Sequence, residues 1–358
     1  MAVTFHSLKV KKVVRETADC ISVLFDVPDE LRPSFVFKQG QNLTLRRSFD
    51  GQEVRRTYSI CTSPLDNELR VAIKRIPDGI FSNYVNQELR AGDTLEVMPP
   101  QGRFFTETHP THAKMYVAFA AGSGITPILS IIKTILRSEP ESRFCLVYGN
   151  RSRSSIIFKS ELEALKNRFM DRLSIYHILS REKADAEILS GRIDAAKCKV
   201  FLEKIIAPQT IDECFLCGPE SMIHDVRDVL VAAGVEPKKI HYELFFSAAG
   251  NKPREVVPEV MANDQQSTLT LTLDGSAVQI PMAYHGESIL EAALRNGADL
   301  PYACKGGVCA TCRARLTHGQ VEMDINYALE QDELDAGFIL TCQAHPRTPE
   351  VAVNFDIK

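Results

Sequence analysis

The chain has 358 residues, a length that predicts two or three domains. Hydrophobic residues make up 44% and charged residues 25%, a globular balance that excludes disordered and collagen-like chains. The formal net charge of −4 provides no overall basic field, so we expect no nucleic-acid partner. Residues 267–358 contain six Lys and Arg against twelve Asp and Glu, so the C-terminal quarter is an acidic module with a net charge of −6.

The N-terminal region and the longest uncharged segment indicate a cytoplasmic protein without a membrane partner. Basic residues interrupt the apolar positions between 9 and 15, so the apolar core of a secretory signal is missing. Residues 115–132 carry no formal charge over 18 positions, which is about the minimum for a membrane span. Because glycines and Pro127 interrupt this segment, we interpret it as a buried strand, a turn and the start of a helix.

Three regions of different character predict a multidomain protein. Residues 1–108 contain short alternating strands separated by turn sequences such as Asp50-Gly51, which predicts a β-barrel. Residues 109–247 alternate buried apolar runs with helical patterns, which predicts a doubly wound α/β domain. Residues 248–267 lack periodicity and contain prolines, so they are interpreted as a linker to a small α+β unit at 268–358.

Turn-bounded runs also predict individual elements. The predicted barrel strands are residues 8–14, 21–27, 42–46, 57–60, 69–76 and 94–98. In the second domain the predicted strands are 115–121, 143–148, 173–179 and 213–217, and the predicted helices are 127–137, 159–169, 195–206 and 221–233. In the third unit, Ser288 and Glu291 form a capping box that predicts a helix leading to the cysteine-rich loop.

Four of the ten cysteines predict an iron–sulfur cluster. They form a C-x4-C-x2-C run with a distant fourth member: Cys304, Cys309, Cys312 and Cys342. This is the spacing of plant-type [2Fe–2S] proteins, and the small residues Gly306, Gly307 and Ala310 would let backbone N–H groups approach the sulfur atoms. A zinc ribbon would need two C-x2-C pairs, and a Rieske centre would need two histidine ligands. The spacing therefore favours a [2Fe–2S] cluster.

These residues carry a family resemblance. The C-terminal module resembles plant-type ferredoxins, and the order of parts resembles bacterial oxygenase reductases of the ferredoxin–NADP⁺ reductase superfamily. Arg56-Thr57-Tyr58-Ser59 matches the R-x-Y-[ST] flavin signature of that superfamily. The resemblance implies that Arg56 clamps a phosphate, that Tyr58 lies on the isoalloxazine face, and that Ser59 hydrogen-bonds the reactive N5. Because the C-terminal module resembles plant-type ferredoxins, the third domain is expected to have the β-grasp fold.

A second flavin element follows in the first domain. Gly79-Ile80-Phe81-Ser82 matches a G-x-x-S turn that opens a helix, whose N–H groups would meet the flavin pyrophosphate. Gly79, Phe81 and Ser82 are therefore expected to contact FAD. The resemblance also implies cofactor contacts at the preceding residues Ile73 and Lys74.

The α/β domain carries two segments that are similar to nicotinamide-binding elements of the superfamily. Gly122-Ser-Gly124-Ile-Thr126-Pro127 lies between a strand and a helix, and its glycines allow the backbone to approach a phosphate. It differs from the G-x-G-x-x-G fingerprint because Pro127 replaces the third glycine. Cys217-Gly218-Pro219 matches the C-G-P element that frames the nicotinamide. Cys214 and Cys217 should point to opposite faces of a strand, which argues against a redox dithiol.

Two further segments bear on nucleotide choice and chemistry. Arg151, Ser152 and Arg153 follow a predicted strand and could hold the 2′-phosphate of NADPH, although a solvated loop is an equal alternative. That loop lacks an acidic residue to accept ribose hydroxyls, which favours NADPH over NADH. The resemblance places Glu243 near the flavin N5, so Ser59, Cys217 and Glu243 are the expected catalytic residues.

The assembly predicts an electron-transfer enzyme. NADPH gives up two electrons as hydride and a [2Fe–2S] cluster accepts one, so FAD between them implies a route from NADPH through FAD and the cluster to an external acceptor. The resemblance extends over the whole chain and implies that this acceptor is a di-iron oxygenase that epoxidises phenylacetyl-CoA. Another ring hydroxylase or monooxygenase is the alternative acceptor. A cluster-binding carrier or redox sensor without NADPH oxidation would not need the flavin and nicotinamide segments.

Overall fold

The computed structural model describes residues 4–184, 186–245, 265–284 and 286–357. The chain forms two compact units: the larger contains residues 6–54 and 58–245, and the smaller contains the described residues from 265 onward together with residues 4–5 and 55–57. Most of the predicted linker, residues 248–264, lies outside the described residues. Among the described residues, no helix has both the length and the apolar character needed to cross a bilayer.

The first half of the larger unit is an antiparallel β-barrel. Its elements are β1 (His6–Thr17), β2 (Cys20–Asp26), β3 (Asn42–Phe49), β4 (Gln52–Ser59), β5 (Leu69–Lys74), α1 (Ile80–Gln87) and β6 (Thr94–Val97). The strand order is β4-β3-β6-β1-β2-β5, and a bridge between Ile60 and Val71 joins the two outer strands. At the β3–β4 hairpin, Asp50 and Gly51 both have positive φ angles of 49° and 81°, as a two-residue type I′ turn requires.

The second half is a five-stranded parallel sheet with helices between its strands. Its elements are β7 (Met115–Ala121), α2 (Ile125–Ser138), β8 (Arg143–Asn150), α3 (Lys159–Arg168), β9 (Leu173–Leu179), α4 (Ala195–Lys204), β10 (Glu213–Gly218), α5 (Glu220–Ala232) and β11 (Ile240–Leu244). The order β11-β10-β7-β8-β9 reverses direction between β7 and β10. Ligands of doubly wound sheets bind at such a reversal, at the carboxyl ends of the strands, which locates the crevice of this half.

The two halves of the larger unit share polar contacts. The Ser130 Oγ of α2 donates to the Thr62 carbonyl at 2.6 Å, and the Ser63 and Thr134 hydroxyls lie 2.8 Å apart. A charged cluster also joins them: Glu161 of α3 accepts from Arg70 of β5 at 2.7 Å, and Lys133 of α2 lies 2.9 Å from the same carboxylate. The side chains of Arg70 and Glu161 are only 17% and 27% exposed, so solvent screens their attraction incompletely.

The smaller unit contains a mixed sheet, two helices and a two-stranded ribbon. Its elements are β12 (Gln266–Leu273), β13 (Ser276–Ala283), α6 (Ile289–Arg295), β14 (Arg313–His318), β15 (Val321–Met323), α7 (Gln331–Asp335), β16 (Phe338–Leu340), β17 (Ala344–Pro346) and β18 (Glu350–Asn354). The sheet order is β13-β12-β18-β14-β16, with β12 and β18 parallel. The predicted capping box starts α6, since the Ser288 hydroxyl accepts from the Glu291 N–H at 3.3 Å.

The fold class predicted from the sequence is confirmed, and the differences concern one unpredicted strand and the ends of some elements. β11 was not predicted as a strand, although it extends the parallel sheet beside β10. The helix α2 begins at Ile125, two residues before the predicted start at Pro127. The first N–H groups of a helix have no intrahelical partner, so a proline, which has no N–H, is tolerated in the first turn. β12 begins at Gln266, so Gln266 and Ser267 of the predicted linker belong to this strand.

Candidate functional site

The crevice at the sheet reversal is lined by the two predicted nicotinamide elements. The Gly122–Gly124 turn follows β7, and Cys217 and Gly218 end β10. A Cβ atom at Gly124 would lie 2.1 Å from the Cys217 carbonyl oxygen, so only glycine allows these two segments to approach. The Tyr148 hydroxyl donates to the Gly122 carbonyl at 2.9 Å and holds the turn in place. At the amino end of α2, the glycines therefore expose backbone rather than side chains to the crevice.

Thr126 and Lys74 complete this part of the crevice. The Thr126 hydroxyl donates to the Ser123 carbonyl at 3.0 Å and is buried, so the residue stabilises the turn from within. The Lys74 ammonium of β5 lies 3.9 Å from the position that a Cβ at Gly122 would occupy. It also pairs with Asp19 at 3.6 Å. A positive charge thus stands beside a glycine turn and a helix amino terminus, which together suit an anionic phosphate group.

The predicted flavin residues occupy β4 and the start of α1. On β4, Arg56 is exposed, Tyr58 is half-buried, and Ser59 is buried. Gly79 precedes the first turn of α1, where the Ser82 hydroxyl donates to the Gly79 carbonyl at 3.2 Å. The exposed arginine, the accessible aromatic ring and the open helix terminus offer the groups that a flavin with its pyrophosphate requires.

Two predicted flavin contacts have buried side chains. Phe81 is 1% exposed and packs in the barrel core, where its ring centroid lies 6.0 Å from that of Tyr58. Ile73 is 0% exposed in the same core. Both residues can reach a cofactor only through the backbone, because their apolar side chains are needed to fill the barrel.

The three predicted catalytic residues meet at the carboxyl ends of β10 and β11. The Ser59 hydroxyl donates to the Glu243 carboxylate at 2.9 Å, and Cys217 stands opposite Glu243 in the ladder between β10 and β11. Burial raises the pKa of Glu243 to about 7, against hydrogen bonds from Ser59 and Asn42 that lower it. Burial also raises the pKa of the Cys217 thiol well above its usual range. A thiol and a carboxyl that titrates near neutral pH therefore lie together.

The outer part of the crevice contains charged residues that were not predicted from the sequence. The Ser180 N–H donates to the Asn150 carbonyl at 2.9 Å, and the Arg181 N–H donates to the Arg151 carbonyl at 2.8 Å. The segment after β9 therefore lies beside the predicted segment Arg151, Ser152 and Arg153. Arg181 adds a third arginine, and its position directly after a predicted strand could have identified it.

A carboxylate from outside this loop lies beside it. The Arg153 N–H donates to the Glu182 carboxylate at 2.8 Å, and the Arg153 guanidinium lies 3.6 Å from the same group. Residues 150–154 themselves contain no acidic residue, whereas Glu182 lies in the segment that follows the neighbouring strand β9. The loop therefore has both cationic donors for a phosphate and a carboxylate that could accept ribose hydroxyls.

The smaller unit brings the four predicted cluster ligands together as two thiol pairs. Cys304 lies beside Cys309, and Cys312 lies beside Cys342. The Cys309 thiol and the backbone N–H groups that follow Cys304 lower the pKa of Cys304 below its usual range, although burial opposes them. The Gly306 N–H lies 3.3 Å from the Cys304 sulfur. Lys305, Gly307 and Ala310 have positive φ angles, which turns the loop around this position.

This donor set fits a two-iron cluster. Each iron of a [2Fe–2S] cluster takes two protein thiolates, which matches the two pairs, and backbone N–H groups point at sulfur as the chemistry requires. In the part of the chain that the structure describes, no three His, Cys, Asp or Glu side chains are grouped so that they could hold a single metal ion.

Comparison with protein families divides the chain into three domains, in the order predicted from the sequence. Residues 7–106 match the oxidoreductase FAD-binding domain, residues 119–228 match the oxidoreductase NAD-binding domain, and residues 271–347 match the 2Fe–2S iron–sulfur cluster binding domain. These matches show FAD-binding, NAD-binding and 2Fe–2S domains in this chain.

Two whole-length relatives and one solved structure extend this result. The chain is 47% identical over 355 residues to a component of 1,2-phenylacetyl-CoA epoxidase from Escherichia coli (strain K12), covering 99% of each protein. It is 36% identical to the ferredoxin reductase component of 3-ketosteroid-9-alpha-monooxygenase from Rhodococcus rhodochrous, covering 97% of this chain and 96% of that one. Phthalate dioxygenase reductase has the same fold, with a TM-score of 0.61, 24% identity and 98% coverage of each chain.

Proposed function

This chain belongs to the ferredoxin reductase components that combine FAD-binding, NAD-binding and 2Fe–2S domains, and from that membership we propose that it delivers electrons from NADPH to a di-iron oxygenase that epoxidises phenylacetyl-CoA. The observation that carries the proposal is the set of three cofactor domains together with the whole-length similarity to a component of an epoxidase. We also propose that the protein is cytoplasmic and that its domains span residues 1–108, 109–247 and, from the start of β12, 266–358.

FAD would be held by the barrel. Arg56 and the open amino end of α1 would bind its phosphates, the Tyr58 ring would lie on the isoalloxazine, and backbone groups of Ile73 and Phe81 would add contacts. When bound, FAD supplies the exchange between two-electron and one-electron transfer. Ser59 and Glu243 form a hydrogen-bonded pair in which Glu243 can hold or release a proton near neutral pH, with Cys217 beside them.

The nicotinamide nucleotide would lie along the crevice at the sheet reversal. The Gly122–Gly124 turn and Lys74 would bind its pyrophosphate, while Gly218 and Pro219 would frame the nicotinamide. At the outer end, Arg151, Ser152 and Arg153 would bind the 2′-phosphate of NADPH together with Arg181. Three arginines against one carboxylate support NADPH over NADH, because only NADPH carries the additional phosphate.

Arg151→Ala combined with Arg153→Ala should raise the KM for NADPH by tenfold or more, since a charge-assisted hydrogen bond contributes about 1.5–3 kcal/mol. The KM for NADH should change much less. Steady-state reduction of ferricyanide with each nucleotide measures both values, and Arg143→Ala, an exposed arginine at the opposite end of β8, is the control. Equal losses for the two nucleotides would contradict the assignment of this loop.

Replacing a cluster ligand tests whether electrons leave the protein through the cluster. Cys304, Cys309, Cys312 and Cys342 would hold the [2Fe–2S] cluster, and an oxygen ligand binds its soft iron poorly. Cys342→Ser should therefore lose the cluster and stop electron delivery to the oxygenase, while NADPH–ferricyanide activity of the larger unit persists. Cys198→Ala, which alters a buried thiol of the α/β half, should keep both activities.

The partner itself is identified by reconstitution. Purified protein, a di-iron oxygenase, phenylacetyl-CoA, NADPH and dioxygen should together produce the epoxide, with the second oxygen atom released as water, and omission of this chain should abolish the product. Efficient turnover with a different ring hydroxylase, and none with phenylacetyl-CoA, would assign the chain to the alternative acceptor. Normal epoxidation by the Cys342→Ser variant would show that electrons leave without the cluster.

A further inference from the structure

Gln343 directly follows the fourth predicted cluster ligand and is buried, with 5% of its surface exposed. Its side-chain amide nitrogen donates to the Lys305 carbonyl at 3.0 Å. The same nitrogen lies 3.0 Å from the Cys342 carbonyl oxygen and 3.6 Å from the Cys342 sulfur. Lys305 lies between Cys304 and Cys309, so this one amide connects the loop of the first two ligands to the fourth ligand.

The amide has two hydrogen atoms and three acceptors within reach. The Lys305 carbonyl takes one hydrogen, which leaves the other directed toward the backbone oxygen and the sulfur of Cys342. The Gln343 side chain is buried and all three acceptors lie within 3.6 Å of its amide nitrogen. Because the site is buried, water cannot readily replace this donor if it is removed.

A hydrogen bond to a ligand sulfur has an electronic consequence. Reduction adds one negative charge to a [2Fe–2S] cluster, and part of that charge lies on the thiolate sulfur atoms. A donor directed at sulfur therefore stabilises the reduced form more than the oxidised form, which raises the reduction potential.

We propose that Gln343 is a positioning residue that raises the reduction potential of the cluster: one side-chain N–H is shared between the sulfur and the carbonyl oxygen of Cys342, while the second N–H holds the Lys305 carbonyl. The proposal rests on the four cysteine ligands assigned above. The hydrogen bond from Gln343 would make electron uptake by the cluster from the flavin more favourable than it would be with an apolar residue at this position.

Gln343→Met in the full chain, loaded with FAD and cluster, removes both donors while keeping a side chain of similar length. The equilibrium constant for cluster reduction should fall about tenfold, equivalent to about 59 mV for one electron. A redox titration followed by electron paramagnetic resonance measures it. Gln331→Met is the matched control, because Gln331 is exposed on α7 and bonds Asp335 at 2.9 Å. An unchanged potential in a Gln343→Met protein with full iron and sulfide would overturn the proposal.

A measurement on the unmodified chain keeps the proposal testable if that variant loses its cluster. Protein labelled with ¹⁵N only at glutamine side-chain amides should show a nitrogen hyperfine coupling to the reduced cluster in pulsed electron paramagnetic resonance. Absence of that coupling would overturn the role of Gln343. Failure of the ligand assignment would look different, because the unmodified protein would then contain no acid-labile sulfide.

Discussion

Stability of the larger unit should fall as pH rises toward neutrality because of one carboxyl group. Burial raises the pKa of Glu243 to about 7 from an ordinary value of 4.5. The folded state therefore favours the protonated carboxyl more than the unfolded state does. The stabilisation is fully present below about pH 4.5, falls between pH 4.5 and 7, and is absent above that range.

The expected magnitude follows from the same pKa difference. Each pH unit between the two values corresponds to about 1.36 kcal/mol, so the group should contribute about 3 kcal/mol at acidic pH that is absent at pH 8. Glu243→Gln removes the titration while keeping a side chain of the same shape. The unfolding free energies of the wild type and this variant should therefore converge toward acidic pH and diverge at pH 8, where the variant gains relative to the wild type.

Scanning calorimetry of the full chain at pH 5, 6, 7 and 8 measures this difference. In a unit of this size, 1 kcal/mol shifts Tm by about 2–4 °C, so the relative change should amount to about 6–12 °C. Glu203→Gln, at an exposed position on α4, is the control and should follow the wild type at every pH. Parallel pH curves for wild type and Glu243→Gln would refute the reasoning, because they would show that Glu243 does not titrate in this range.

Three further outcomes are expected. Purified holoprotein should contain two iron atoms and two acid-labile sulfides per chain; zinc without sulfide, measured by metal and sulfide analysis, would contradict the cluster. The acidic C-terminal module should favour a basic docking surface, so turnover with the oxygenase should slow as salt rises, and a flat salt dependence would show that its charge serves solubility alone. Glu161→Gln should lower the unfolding free energy by about 2–3 kcal/mol, because Arg70 and Lys133 lose a partly buried partner; denaturant unfolding measures the loss, and an unchanged midpoint would show that the ion pairs contribute nothing.

Segments whose function depends on local spacing could be identified from the sequence alone. The C-x4-C-x2-C run predicts three convergent thiols because a short loop constrains their separation, and the structure brings all four cysteines together. The alternation of apolar strands and helices predicts the parallel sheet, since burial on both faces imposes that pattern. The Gly122–Gly124 turn was recognisable for the same reason, as it joins two adjacent elements.

Contacts between distant residues were decided only by tertiary structure. Ser59 and Glu243 are 184 residues apart, and both their hydrogen bond and the raised pKa of Glu243 depend on how the barrel packs against the end of β11. Glu182 reaches Arg153 only because β8 and β9 are parallel neighbours whose carboxyl ends lie at one edge. Phe81 matched a cofactor motif by position, but its side chain lies on the face of α1 that packs into the barrel core. Local sequence patterns determine backbone conformation and burial periodicity, whereas strand order and packing determine which side chains meet.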